Sequence, residues 1–212
     1  MKKIIRIMVL ALFLVFVVVL SGCTSASEIQ RFEESLTSTV TLSNKMDHVD
    51  IEEIEAIALF VEENQNSFIR LSTIELSQYE EEANKIMEIL EMRNTIKEMQ
   101  LIVNANKEEL KGQVVVLRSY VRQSIEFTSD ERLIITASIA EALELRDQIK
   151  ATTGEVYEKI KTLNGSYSLE NIDLIYSIYN NALNNMDTRV NSSARLIELA
   201  NGIIDLVEQK VE

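Results

Sequence analysis

The sequence contains no proline and only five glycines in 212 residues. Average proteins carry about 5% proline, which breaks helix interiors, and glycine weakens them. Their scarcity, together with abundant Glu, Ile, Leu, Ala and Lys, predicts long helices. Because no stretch alternates apolar and polar residues between turn signals, no sheet is predicted.

Histidine and cysteine are also scarce, which excludes most catalytic and metal-binding arrangements. His48 is the one histidine and Cys23 the one cysteine. Zinc sites with two histidines and di-iron sites with Glu-x-x-His pairs are therefore excluded, and no glycine-rich phosphate loop is present. Asp47, His48 and Asp50 carry metal-binding side chains, but the segment 44–50 has the ordinary composition of a turn. We predict no catalytic residue, no metal and no cofactor.

Positive charge is scarce as well. The chain has 21 basic and 34 acidic residues, and residues 1–22 hold three of the basic ones and none of the acidic ones. The remainder therefore carries 18 basic and 34 acidic residues, a formal charge of −16. Because nucleic-acid binding needs clustered Lys and Arg, so acidic a domain is not expected to bind nucleic acid. Anionic lipid headgroups should repel it.

The N-terminus has the pattern of an export signal. Lys2, Lys3 and Arg6 precede a run of 14 apolar residues at 7–20. As a helix this run is about 21 Å long, short of the roughly 30 Å hydrocarbon core of a bilayer. A charged start followed by a short apolar segment is typical of a secretory signal peptide.

The apolar run ends in "LSGC", residues 20–23, which resembles the lipobox of bacterial lipoproteins. This resemblance implies that residues 1–22 are removed and that Cys23 becomes the lipidated N-terminus, with a diacylglyceryl group on its sulfur. Two acyl chains such as palmitate hold a protein with roughly 20 kcal/mol, which amounts to permanent anchoring. Residues 23–25 would then be the lipidated cysteine with a short tether. The alternative is an uncleaved N-terminal anchor with an incidental cysteine.

Helix caps and apolar spacing divide the predicted helical domain, residues 26–212, into several helices. The predicted helix boundaries are a turn at 44–50, a cap at Ser77 with Glu80, a new helix start at Thr128 with Glu131, and a loop at 163–168 in which Gly165 ends a helix. The segment 104–112, with Asn106 as a candidate cap, fits either a break or a continuous helix. An apolar stripe from Ile135 to Leu163 follows the restart.

The last segment has the most regular pattern. From Leu169 to Val211 the seam residues alternate steps of three and four, and Ser193 is the one polar member. Six heptads of this kind predict one helix of about 43 residues, roughly 65 Å long. The fold is therefore predicted to be all-α. We expect an elongated bundle of four to six helices with coiled-coil-like packing and a long C-terminal helix.

Four cations lie within about 60° on one side of a helical wheel, flanking an apolar stripe. They are Lys107, Lys111, Arg118 and Arg122. They form either a docking strip for an acidic partner or lipid headgroups, or ordinary ion pairs with carboxylates of a neighbouring helix. In so acidic a chain we favour ion pairs.

The stretch "YSIYNNALNN", residues 176–185, places amides beside two tyrosines. Amides next to aromatic rings can bind sugars, but Tyr176 and Tyr179 both fit the apolar seam, and this favours a place in the core. The methionines at 87, 92 and 99 are predicted to fill gaps in the core.

These observations predict a non-enzymatic protein, anchored by lipid to the extracytoplasmic face of the cell membrane. It would act by contact with other proteins of the bacterial cell envelope or by self-association. The alternative is a ligand-binding or sensory lipoprotein that holds a small molecule, cation or glycan between its helices.

Overall fold

The structure, a computed structural model, describes residues 24–46 and 49–211. These residues form seven α-helices and one 3-10 turn, and none of them lies in a strand. The elements are α1 Thr24–Met46, α2 Val49–Ile69, α3 Thr73–Leu76, α4 Glu80–Tyr120, α5 Ser129–Ala151, α6 Glu155–Leu163, the 3-10 turn Leu169–Asn171 and α7 Ile172–Val211. The predicted all-α class is confirmed. The signal segment, Cys23 and His48 lie outside the described residues.

Two unbroken helices form the long axis of the bundle. α4 has 41 residues and α7 has 40, so each is about 60 Å long. They run parallel, because partners about 88 positions apart meet along their whole length. The pairs are Lys85–Asp173, Gln113–Asn201 and Tyr120–Glu208, with N–O or O–O distances of 2.5, 2.7 and 3.2 Å. The predicted long C-terminal helix is confirmed, with a 3-10 first turn.

α4 passes without a break through 104–112, the segment whose course the sequence leaves open. Asn106, the candidate cap, instead directs its amide towards α7, where Nδ2 donates to Ser193 Oγ at 2.8 Å. Ser193 is the polar member of the predicted seam, and this bond accounts for its position there. Because an unpaired polar group inside a seam is costly, such a pair helps to fix the register of the two helices.

The first of two shorter columns consists of α1 followed by α2, and both contact α4. Glu33 on α1 pairs with Arg118, and Glu55 on α2 pairs with Arg93. Since residue numbers rise along this column as they fall along α4, the column runs antiparallel to α4. The predicted turn at 44–50 coincides with the end of α1 and the start of α2. Its central residues, Asp47 and His48, are outside the described ranges.

The second column consists of α5 followed by α6, and both contact α7. Glu131 pairs with Lys210 and Glu141 with Arg195, each at 2.7 Å, so this column runs antiparallel to α7. α5 also contacts α1, which runs in the same direction. The result is a four-column bundle in which two columns are single helices and two are interrupted.

A break at 152–154 divides the apolar stripe that the sequence extends from Ile135 to Leu163. Gly154 has a φ of 94°, in the left-handed region that residues with side chains rarely adopt. Thr152 ends α5, with its hydroxyl donating to a backbone carbonyl of the last turn at 2.6 Å. The stripe is therefore carried by two helices rather than one.

The helix caps agree with the sequence at one predicted position and differ at another. At Thr128 the restart is confirmed, because Oγ1 accepts from the Glu131 amide at 3.3 Å and the Glu131 carboxylate accepts from the Thr128 amide at 2.7 Å. The cap at Ser77 is wrong: α4 begins after Tyr79, which makes no side-chain cap bond. The capping box of this region forms at Ser72, on the short helix α3.

Replacing Thr128 with alanine should lower the free energy of unfolding by about 1 kcal/mol, because the first turn of α5 loses an acceptor for its free amides. Thr136→Ala, at an exposed interior position of the same helix, is the matched control and should leave stability unchanged or slightly raised. Urea titrations followed by circular dichroism measure both. Equal midpoints for the two variants would contradict the capping role.

The core consists of two clusters, one in each half of the bundle, and α4 and α7 contribute to both. α7 buries more than the predicted seam, because it packs against α4 and also against α5 and α6. A second buried row lies beside the seam: Ile175, Ile178, Ala182, Leu196, Leu199 and Ile203. Because α7 has one neighbouring column on each side, it needs a wider apolar arc than a helix in a two-helix coiled coil.

Candidate interaction surface

Two of the four cations of the predicted basic strip pair with carboxylates of the bundle, and Arg122 lies beyond the end of α4. Arg118 donates to Glu33 on α1, with nitrogen–oxygen distances of 2.5 and 3.1 Å. Lys111 pairs with Glu108 on its own helix at 2.6 Å. The ion-pair interpretation is therefore confirmed for Arg118, whereas the partner of Lys111 lies on α4 rather than on a neighbouring helix.

The tyrosine and asparagine cluster of α7 serves the core. Tyr179 is fully buried, its hydroxyl donates to the Ile54 carbonyl at 3.0 Å, and burial raises the pKa of its phenol. Tyr176 is half-buried. Asn185 donates to the Thr152 carbonyl at 3.1 Å, where α5 ends. The structural interpretation of these residues is confirmed for Tyr179.

Arg189 forms a buried polar contact at the break in the second column, and no pattern in the sequence predicts this contact. Its Nε donates to Thr152 Oγ1 at 2.9 Å, and one terminal nitrogen lies 3.3 Å from the Thr152 carbonyl oxygen. Cavities of about 20 and 10 Å³ adjoin the guanidinium. Because a cavity of this size holds about one water, a larger ligand between the helices here would require them to separate.

Neither a metal site nor a membrane span is found within the part of the chain that the structure describes. No three or more His, Cys, Asp and Glu side chains there are placed to hold a metal ion. No helix among residues 24–46 and 49–211 combines the length and apolar character needed to cross a bilayer. The turn that carries Asp47, His48 and Asp50 was considered above as a metal site. Asp47, His48 and the side chain of Asp50 lie outside the described residues.

An open apolar surface lies where the α2–α3–α4 connection closes the bundle, opposite the end that contains Thr24. We call it the far-end groove; it has a volume of about 230 Å³ and is lined by Gln65, Phe68, Ile69, Leu76, Ala83, Asn84, Ile86 and Met87. Ile69 is 73% exposed and Met87 49% exposed, whereas Phe68 and Ile86 form its buried floor. Leu76 and Ala83 are partly buried against the same cluster, so four lining residues are continuous with the core, and two large apolar side chains stand open to solvent.

Local structure explains how the far-end groove forms. α2 ends at Ile69, and the capping box at Ser72 turns the chain through α3 before α4 begins. The Tyr79 ring, 42% exposed, lies 6.1 Å from the ring of Phe68 and extends the apolar surface. Across the groove, Gln65 Nε2 is 3.6 Å from the sulfur of Met87.

The rim of the far-end groove is mainly acidic. Residues 80–82 are three successive glutamates in the first turn of α4. Hydrogen bonds from Ser72 lower the pKa of Glu75, which keeps its charge to more acidic pH. Asp173, and then Glu81, raise the pKa of Lys85, so this cation is held by the bundle's own carboxylates. The groove therefore offers an apolar floor with excess negative charge around it.

The prediction that the methionines fill core gaps is wrong for Met87. Met92 is buried and Met99 partly buried, as predicted, but half of the Met87 side chain is exposed. At 100° per residue Met87 lies about 140° from Met92 and about 120° from Met99 around α4, so it falls outside the face that the other two share.

No family model, curated protein or solved structure matches the chain.

Proposed function

We propose that this chain is a lipid-anchored, extracytoplasmic helical protein that acts by protein–protein contact at the bacterial cell envelope. The resemblance of residues 20–23 to a lipobox is the basis for the anchor at Cys23. α1 begins at Thr24, the residue that follows Cys23, so the bundle would start at the membrane with almost no tether.

The observation that carries the proposal is the separation of the two ends. Since α1 runs antiparallel to α4, Thr24 lies at the end where α4 finishes at Tyr120 and α7 at Val211. Met87 and the far-end groove lie at the opposite end, about 50 Å away along α4. An anchored bundle would hold this groove well outside the lipid headgroups.

The chemistry of the far-end groove indicates the kind of partner. Two exposed apolar side chains above a buried floor suit an apolar residue or helix face of another protein. The glutamates around it favour a partner with basic residues next to that apolar surface. A volume of about 230 Å³ is small for a ligand pocket, which typically measures 300–1,000 Å³.

A photo-crosslinking amino acid at Met87 tests the partner contact in intact cells. We expect a covalent adduct of defined mass when it replaces Met87, and none when it replaces Leu59, an exposed α2 residue outside the groove. An adduct of twice the chain mass would identify self-association. Recovery of monomer alone from both positions would contradict a protein contact at this groove.

A further inference from the structure

The first half of α5 is apolar on both its core-facing and its outward-facing sides. Residues 133–140, "LIITASIA", contain no charge in a chain with 26% charged residues. Ile135 and Ile139 are buried in the core. On the opposite side Leu133 is 71% and Ile134 54% exposed, and Ala137 and Ala140 are also exposed. Helices at a protein surface normally keep one polar face, so this surface is unusual.

We call Leu133, Ile134, Ala137 and Ala140 the α5 patch. It lies at the end of the bundle that contains Thr24. Glu131 pairs with Lys210, so the first turn of α5 is level with the last turn of α7. α5 also packs in parallel beside α1, whose first described residue is Thr24.

The patch has a sharp boundary along the helix. Exposed acidic residues bound it at both ends, with Asp130 in the turn before it and Glu144 and Asp147 beyond Ala140. The uncharged part is thus about 12 Å long and begins one turn from the helix start. Its acidic continuation would be repelled by anionic headgroups, whereas the patch itself carries no charge.

We infer that the α5 patch is a second membrane contact and rests in the outer surface of the bilayer that holds the anchor. This inference depends on the proposed function, because the anchor at Cys23 brings this end to the lipid. Apolar faces enter the boundary between headgroups and acyl chains by about 5–10 Å, and Leu133 and Ile134 are the two large side chains of the patch that would do so. The bundle would lean towards its α5 side instead of standing upright, and this would set the direction of the far-end groove.

A second copy of the chain fits the patch less well. Stable protein interfaces bury about 800 Å² on each partner. The patch has only two large side chains and two alanines, and a symmetric pair would bring the acidic residues at its two ends close to one another in either orientation. A lipid surface requires neither the area nor a complementary partner charge.

Spin labels on the acylated full-length chain in vesicles of phosphatidylcholine with some phosphatidylglycerol test this contact. Acylation leaves no free thiol, so Ile134→Cys and the control Leu59→Cys each carry one label. We expect the label at 134 to collide more often with dissolved oxygen than with a water-soluble nickel chelate, and the label at 59 to show the reverse. Equal behaviour at both positions would overturn the inference. Spin–spin broadening at 134 would overturn it in favour of a second copy.

Flotation of the same samples separates this inference from the proposed function. Chains that float with the vesicles while the label at 134 stays in water leave the anchor intact and reject the second contact. Chains that do not float at all reject the anchor, and the α5 contact with it.

Discussion

Replacing Phe32 with alanine is expected to lower the free energy of unfolding by about 3–5 kcal/mol. Phe32 is fully buried in the cluster that joins α1, α4, α5 and α7. Removal of the ring leaves a cavity that the four surrounding helices cannot fill by moving closer. The loss of this contact also weakens the packing of α1, the helix that would follow the anchor. Urea unfolding, with the midpoint and the slope both recorded, measures the loss.

Phe60→Ala is the matched control on the same column. Phe60 is half-buried at the edge of the other cluster, with its ring 6.5 Å from that of Tyr167. Because the Phe60 ring buries less apolar surface on folding than the Phe32 ring, its removal should lower the free energy of unfolding clearly less. Similar losses for the two variants would mean that α1 is not an integral part of the bundle.

Replacing Arg189 with alanine is expected to cost about 2–4 kcal/mol of stability. The guanidinium is buried where α5 ends, and it supports Thr152 through both its hydroxyl and its carbonyl. The alanine variant loses these bonds and merges the two water-sized cavities beside the side chain. Calorimetric unfolding of the purified chain measures the effect.

Two further variants separate packing from charge at this position. Arg189→Met keeps most of the volume and should cost less than the alanine variant, because buried polar contacts can often be replaced by well-packed apolar groups. Arg195→Ala, on the exposed side of α7, removes pairs with Glu141 and Glu198 and should cost at most about 1 kcal/mol. If Arg189→Ala is no worse than Arg195→Ala, the buried contact does not stabilise the break.

The helical class and several element boundaries can be predicted from the sequence, because their causes are local. Missing proline, the capping box at Thr128 and the heptads from Leu169 to Val211 all act within a few residues. The break at 152–154 also has a local signal, the sequence Thr-Thr-Gly. The continuous apolar stripe concealed it, since a break between two stacked helices leaves their apolar spacing almost unchanged.

The arrangement of the helices could not be predicted in the same way. Helical periodicity is the same for parallel and antiparallel neighbours, so it gave no sign that α4 and α7 run in the same direction. Nor does it show how many neighbours a helix has, and for this reason the second buried row beside the α7 seam was missed. The buried position of Arg189 depends on the break at Thr152.

The far-end groove and the α5 patch were missed because both are properties of surfaces. Ile69 and Met87 come together only after the chain turns through α3. The α5 patch was visible as the uncharged run 133–140, but only the structure separates its buried residues from its exposed ones. The proposed anchor at Cys23 is different, because it rests on the resemblance of four consecutive residues to a lipobox and not on packing.

Mass spectrometry of the N-terminal peptide from the membrane fraction tests the anchor, on which both surfaces depend, most directly. If the protein is anchored at Cys23, the peptide should start at residue 23 and carry the added mass of a diacylglyceryl group. The Cys23→Ser variant should instead retain residues 1–22. A peptide with unmodified Cys23, or a mature chain that starts at another residue, would contradict the anchor.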